Sequence, residues 1–144
     1  MVNLYRMRML NRKTIKIQWK IEKAVAGATK ITTVLTGMPR GGKQQDQTGD
    51  GAIKIAELRD AYSDVLRELQ EMRDEIRPLI DKIEDVDIRT AMILRYINGH
   101  KPEDIADAVI MADRTIYRYL KRGEAELCER FPDKITSGQL INCQ

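Results

Sequence analysis

Arg114, Arg118, Lys121 and Arg122 fall within nine residues, "RTIYRYLKR", that also hold two tyrosines and no acid. Elsewhere in the last hundred residues acids and bases are interleaved, so this gap is a local departure. A guanidinium offers paired donors in a rigid fork that fits a guanine edge or a phosphate, and an ammonium offers a point charge to phosphate. Spacings of four, three and one place all four bases on one side of a helix that turns about 100° per residue. Arg114, Tyr117, Arg118, Lys121 and Arg122 then point outward. Ile116, Leu120, Gly123 and Leu127, with Tyr119 in part, point inward.

Such a face needs a short helical domain to present it. The last helix is expected from about Asp113 to Arg130, where Phe131 and Pro132 stop it. Before it, "KPEDIADAV" puts Pro102 where a first turn tolerates proline, with Glu103 and Asp104 suited to the positive helix end. A four-residue turn, "IMAD", joins the two. "DIRTAMILRYING" reads as a helix capped by Asp87 and closed at Gly99. Three short helices in about 45 residues with a tight turn between the last two is the helix-turn-helix outline. Ile105, Ala106, Val109 and Met111 should meet the inward face, with Ala106 small enough for the crossing. The outward face is then the one that enters a major groove, where an acid would face phosphate. Arg114, Thr115, Tyr117, Arg118, Lys121 and Arg122 are the candidate contacts to double-stranded DNA. Basic exposed faces are common, and the helix dipole favours one near a C-terminus. The apolar offsets and Ala106 are what make this one specific.

The remainder of the chain is two apolar seams of opposite charge. Ile55, Leu58, Tyr62, Val65, Leu69, Met72, Ile76, Leu79, Ile83 and Val86 alternate steps of three and four, a heptad pattern that favours a coiled coil. Pro78 lies within it and predicts a kink or break just before it. Met7, Leu10, Thr14, Ile17, Ile21, Ala24, Ala28, Ile31 and Leu35 form a weaker seam upstream. Between them "TGMPRGGKQQDQTGDG" is expected as a loop over about residues 37–51. Residues 1–43 hold ten bases against one acid, a charge of +9. Residues 44–86 carry −6, and residues 87–130 balance at zero. Opposite charge and one loop predict an antiparallel coiled-coil hairpin over 1–86, a helix-turn-helix domain over 87–131, and a short tail over 132–144. The fold class is all-α. Ile15 and Trp19 lie off the seam: either Trp19 rests flat on neighbouring lysine stems, or the pair is a second contact face for a homo-oligomer or for the C-terminal domain.

Several function classes are excluded. No apolar run approaches the roughly 20 residues that span a bilayer, and the N-terminus has no uninterrupted apolar core or cleavage site of a signal peptide. Cys128 and Cys143 lack metal-type spacing and read as idle thiols of a reducing cytoplasm. His100 is the single histidine and stands in a turn. There is no nucleophile paired with it, no phosphate-cradling glycine loop and no metal cluster, so neither an enzyme nor a bound cofactor is expected.

"LRYINGH", "EDIADAV" and "RTIYRYLKRGEAEL" resemble successive elements of the promoter-reading C-terminal domain (domain 4) of bacterial sigma-70-type factors, over about 40 residues. With a coiled N-terminal hairpin and "GMPRGG" in its loop, the layout is similar to small phage-encoded late-gene transcription regulators of the RinA and ArpU type. The resemblance implies a DNA-binding transcription regulator of a phage or prophage, acting at late-gene promoters in the cytoplasm of a bacterial host. Arg114, Tyr117, Arg118 and Lys121 take the base-facing role by position, and host RNA polymerase enters as a partner only through the resemblance. Two departures stand out: the turn position often filled by Gly is Ile110, and the usual capping Ser is Ala112, which leaves Asp113 to cap. No domain for the −10 element is present. Two other readings compete: a ring-forming small terminase-type subunit that binds packaging-site DNA, recognisable by a mass of eight or more subunits, and a coiled-coil adaptor whose C-terminal domain binds protein.

Overall fold

The computed structural model describes the backbone of residues 1–35 and 43–138 and the side chains of residues 1–27 and 51–138. Two long helices, α1 (Leu4–Leu35) and α2 (Lys43–Ile80), precede three shorter ones: α3 (Val86–Met92), α4 (Pro102–Val109) and α5 (Asp113–Arg130). α3 runs on into a π-helical turn, Ile93–Ile97. Two residue pairs are extended, β1 (Val2–Asn3) and β2 (Ile135–Thr136), and they lie parallel with Val2 opposite Ile135. The fold is otherwise all-α.

Contacts divide the chain into two compact units, Met1–Asn11 with Glu68–Gln144, and Arg12–Arg67. These units do not follow the division at residue 86 expected from the sequence. The beginning of α1 and the end of α2 belong with the short helices, because they share their core. Val2, Leu4 and Met7 are buried in one cluster with Ile76, Leu79, Ile80 and Ile83, with Ile88, Met92 and Tyr96 of the third helical stretch, and with Ile105, Ile116 and Leu127. Fully burying each such side chain contributes about 1.5–3 kcal/mol. The tail takes part too, since Ile135 is buried and Val2 donates its N–H to the Lys134 carbonyl at 2.7 Å.

The polar groups of this unit are matched over long sequence distances. Tyr96 has no exposed surface, and its hydroxyl donates to Glu124 Oε1 of α5. Glu124 also accepts from Arg8 Nη1 at 3.0 Å. Asn11, buried on α1, accepts from Arg73 Nη2 at 3.0 Å. Arg6 pairs with Glu68 at 2.5 Å on the surface. In the unit Arg12–Arg67, Ile17 and Val65 are the buried apolar residues among those described, and Ile55, Leu58 and Tyr62 are half-buried.

Several local expectations are corrected. α2 continues through Pro78 and ends two residues later at Ile80, so no break falls before the proline. Asp85, not Asp87, caps α3: its Oδ1 accepts from the N–H groups of Asp87 at 2.9 Å and Ile88 at 3.2 Å. Val86, the last residue of the downstream seam, is then a first-turn residue and 61% exposed. The carbonyls of the link after α2 are taken by arginines, Lys82 by Arg130 and Ile83 by Arg89, both at 3.0 Å. α2 begins at Lys43, which places residues 43–51 of the expected loop inside a helix. Residues 36–42, with "GMPRGG", and the seam side chains of Ala28, Ile31 and Leu35 lie outside the described residues, as does Cys143.

Candidate nucleic-acid interface

α5 is placed by its apolar face. Ile116, Leu120 and Leu127 are at most 5% exposed. Gly123 is buried where a Cβ would stand 2.6 Å from Met92 Cγ, so the absence of a side chain sets how closely α5 approaches α3. The helix is positioned from the other side by α4, whose Ile105 and Ala106 are each 1% exposed.

The turn between α4 and α5 is built without glycine. Ile110 closes α4 in the left-handed conformation, φ 56°, and is 92% exposed. The N–H groups of Ile110 and Met111 both donate to the Ala106 carbonyl. Ala112 is the residue before the first turn of α5 and supplies no side-chain cap, while Asp113 is already the first helical residue. The helix begins at Asp113 as expected, but the expectation that Asp113 caps it is corrected. Asp113 is inside the helix because the Ala112 carbonyl already accepts from Thr115 at 3.0 Å and Ile116 at 3.2 Å.

Of the six candidate contacts, Arg114, Tyr117, Arg118, Lys121 and Arg122 are exposed and Thr115 is half-buried. At about 100° per residue the four bases span about 100° of arc, centred opposite the buried stripe. None of the four forms an ion pair among the described residues. Tyr117 is outward as expected, and its hydroxyl is engaged within the chain. It donates to Glu103 Oε1 in the first turn of α4 at 2.5 Å. That bond holds the Glu103 carboxyl below the usual carboxylate range and raises the tyrosine. The pair braces α4 against α5 at the rim of the basic face.

Sequence reasoning missed two cations beside this face. Arg8 of α1 and Arg95 of the π-helical turn line a cleft with Lys121, Tyr117 and Glu124. Arg95 Nη1 donates to the His100 carbonyl at 3.0 Å, which aims it across the turn that precedes α4. No local pattern marks Arg8, whose partner Glu124 is 116 residues away. Arg95 lies inside an apolar helix pattern and carries no local signal of its own. Of the other side chains, His100 is exposed, and Cys128 is half-buried with its thiol pushed up by burial and by Glu124.

Residues 28–128 match the family described as Protein of unknown function (DUF1492). The chain belongs to that family. The DUF1492 match takes in every candidate contact on α5 and ends at Cys128, leaving the first 27 residues outside it. No curated protein and no solved structure matches the chain. Among the described residues no helix is long and apolar enough to cross a membrane.

Proposed function

We propose that this protein is a sequence-specific DNA-binding transcription regulator of phage or prophage origin, acting in the bacterial host cytoplasm without catalysis. In this reading α4 and α5 are the helix-turn-helix of a sigma domain-4-like unit, and α5 is the helix that enters the major groove. α1 and α2 form an antiparallel coiled-coil hairpin that carries the unit and offers a face for homo-oligomers. The observation that carries the reading is the division of α5: four exposed bases without an ion pair on one side, and a stripe buried against α3 and α4 on the other. An enclosed anchor face and an open basic face are what a groove-reading helix requires. The late-gene promoter as target and host RNA polymerase as partner rest on the resemblance of "LRYINGH", "EDIADAV" and "RTIYRYLKRGEAEL" to promoter-reading domains.

Arg114 and Arg118 lie one turn apart near the N-terminus of α5, the end that reaches base edges in this motif. Selection of bound duplexes from a random pool should return a defined site. Arg114→Ala or Arg118→Ala should cost about 1–3 kcal/mol on that site and relax the choice at one position. A double variant that stays folded and selects the same site overturns the assignment of α5.

A further inference from the structure

The proposed groove-reading unit has an electrostatic difficulty. Residues 87–130 carry no net charge, and Glu103 stands in contact with Tyr117 at the edge of the basic face. Most of the attraction that brings a protein to DNA is the sequence-independent term from phosphates, and that segment supplies little of it. The positive charge of the chain lies in residues 1–43, at +9.

Within the unit Arg12–Arg67, α1 concentrates that charge on one face. Arg12, Lys16, Trp19 and Lys23 follow one another at steps of four, three and four, so they lie within about 60° of arc. All four are exposed, and exposed Lys13 and Lys20 widen the strip on one flank. The one acid of this stretch, Glu22, lies off the strip. None of the five cations Arg12, Lys13, Lys16, Lys20 and Lys23 forms an ion pair among the described residues. α2 in the same unit behaves differently: its exposed Glu57, Arg59, Asp60, Asp64 and Arg67 mix signs as an ordinary solvated surface does. Trp19 is 58% exposed, and the Lys23 ammonium stands 4.9 Å from its ring centre. The cation over the ring keeps this from being a bare apolar patch suited to a protein core.

We infer that the Arg12–Lys23 face of α1 is a second, sequence-independent contact to duplex DNA, holding backbone phosphates while α5 reads bases. Charge complementarity selects the occupant. Five cations without acids suit a polyanion of high charge density. A membrane surface is disfavoured because a helix lying in an interface needs a free apolar face, and on α1 Leu10 and Ile17 of that face are buried. The strip lies before residue 28 and so outside the family match. The inference rests on the DNA-binding reading above, and goes beyond it by placing the affinity on a different helix from the selectivity.

The test uses the full chain and the duplex recovered by selection, with affinity measured across a salt series. The variant R12Q/K16Q/K20Q/K23Q removes charge from exposed positions with little change in helix propensity, and its helicity checks the fold. Each lost phosphate contact should lower the salt slope by roughly 0.9. The expected result is a slope reduced by two or more, affinity lost equally for the selected and a scrambled duplex, and base preference unchanged. R12K/K16R/K20R/K23R, which keeps every charge at the same four positions, should retain the parental slope. An unchanged slope with selective binding intact overturns the inference and leaves the α5 reading standing. Loss of binding to vesicles of anionic phospholipid, with DNA binding unchanged, also overturns it in favour of a membrane surface. A parent chain that binds no duplex of any sequence overturns both.

Discussion

Ile110 is the one non-glycine residue with positive φ among those described, and it is β-branched. Left-handed backbone costs an L-residue about 1–2 kcal/mol, and at 92% exposure the side chain recovers almost nothing from packing. Nothing in the structure accounts for isoleucine here. Ile110→Gly should raise stability by about 1 kcal/mol, the relief of strain exceeding the extra freedom of glycine in the unfolded chain. Thermal unfolding should show it as a midpoint higher by about 3 °C. Tyr96 is the opposite case, a residue whose surroundings do everything for it. Burial first, then the negative charge of Glu124, push its hydroxyl far above its ordinary value of 10.0. The folded chain thus keeps a proton that the unfolded chain releases above about pH 10, so stability is full below that pH and falls as pH rises beyond it. Tyr96→Phe should cost about 1–2 kcal/mol at neutral pH, since it deletes a hydrogen bond to a charged acceptor. It should also flatten the alkaline decline, which urea unfolding at pH 8 and pH 11 can read. Equal loss for both chains at high pH would show that Tyr96 titrates freely.

At the scale of the element, the proposed reading gives α5 two jobs on opposite sides, and each side answers a different measurement. Lys121 and Arg122 come one turn after Arg118, where a groove-reading helix rises toward the backbone. Lys121→Ala and Arg122→Ala should weaken binding to selected and scrambled duplexes alike and lower the salt slope by roughly one each. If either variant instead changes base preference, the helix is seated in the groove at a different depth from that proposed. The Tyr117–Glu103 contact joins α4 to α5 at the same rim, so the engaged tyrosine braces the two helices rather than standing free toward a ligand. α3 shows a related economy: its cap comes from Asp85, and the arginines of α3 and α5 close the carbonyls of the link between α2 and α3.

At the scale of the whole molecule, the first residues of the chain belong to the core of the last. Val2, Leu4 and Met7 lie among Ile76, Ile80 and Ile83, Arg8 completes the Glu124 network, and Val2–Asn3 pairs with Ile135–Thr136. A chain beginning at Arg12 should therefore lose several kcal/mol in its C-terminal helices, seen as a lower urea midpoint. Likewise a 1–86 fragment should unfold less cooperatively than its two apolar seams alone suggest, because Leu4, Met7, Ile76 and Ile80 would face water. Truncation that leaves the midpoint unchanged would show that the short helices fold without the N-terminus.

What the sequence determined by itself was periodic or local. The apolar face of α5, the exposure of its bases, Pro102 in the first turn of α4 and the helical character of 55–80 all follow from spacings within a few turns, because helical geometry ties residues three and four apart to one face. Even the oddity at Ile110 was visible as a missing glycine. The tertiary structure decided everything that depends on partners far along the chain. Ile80 and Asn11, off both seams, are buried because other helices cover them. Arg8 meets Glu124, and the core of the short helices closes over residues 1–11, through contacts more than 100 residues apart. A one-dimensional pattern records which side of a helix is apolar. It holds no record of which distant surface that side will find, because that choice is made by the shape and volume of the whole packed core.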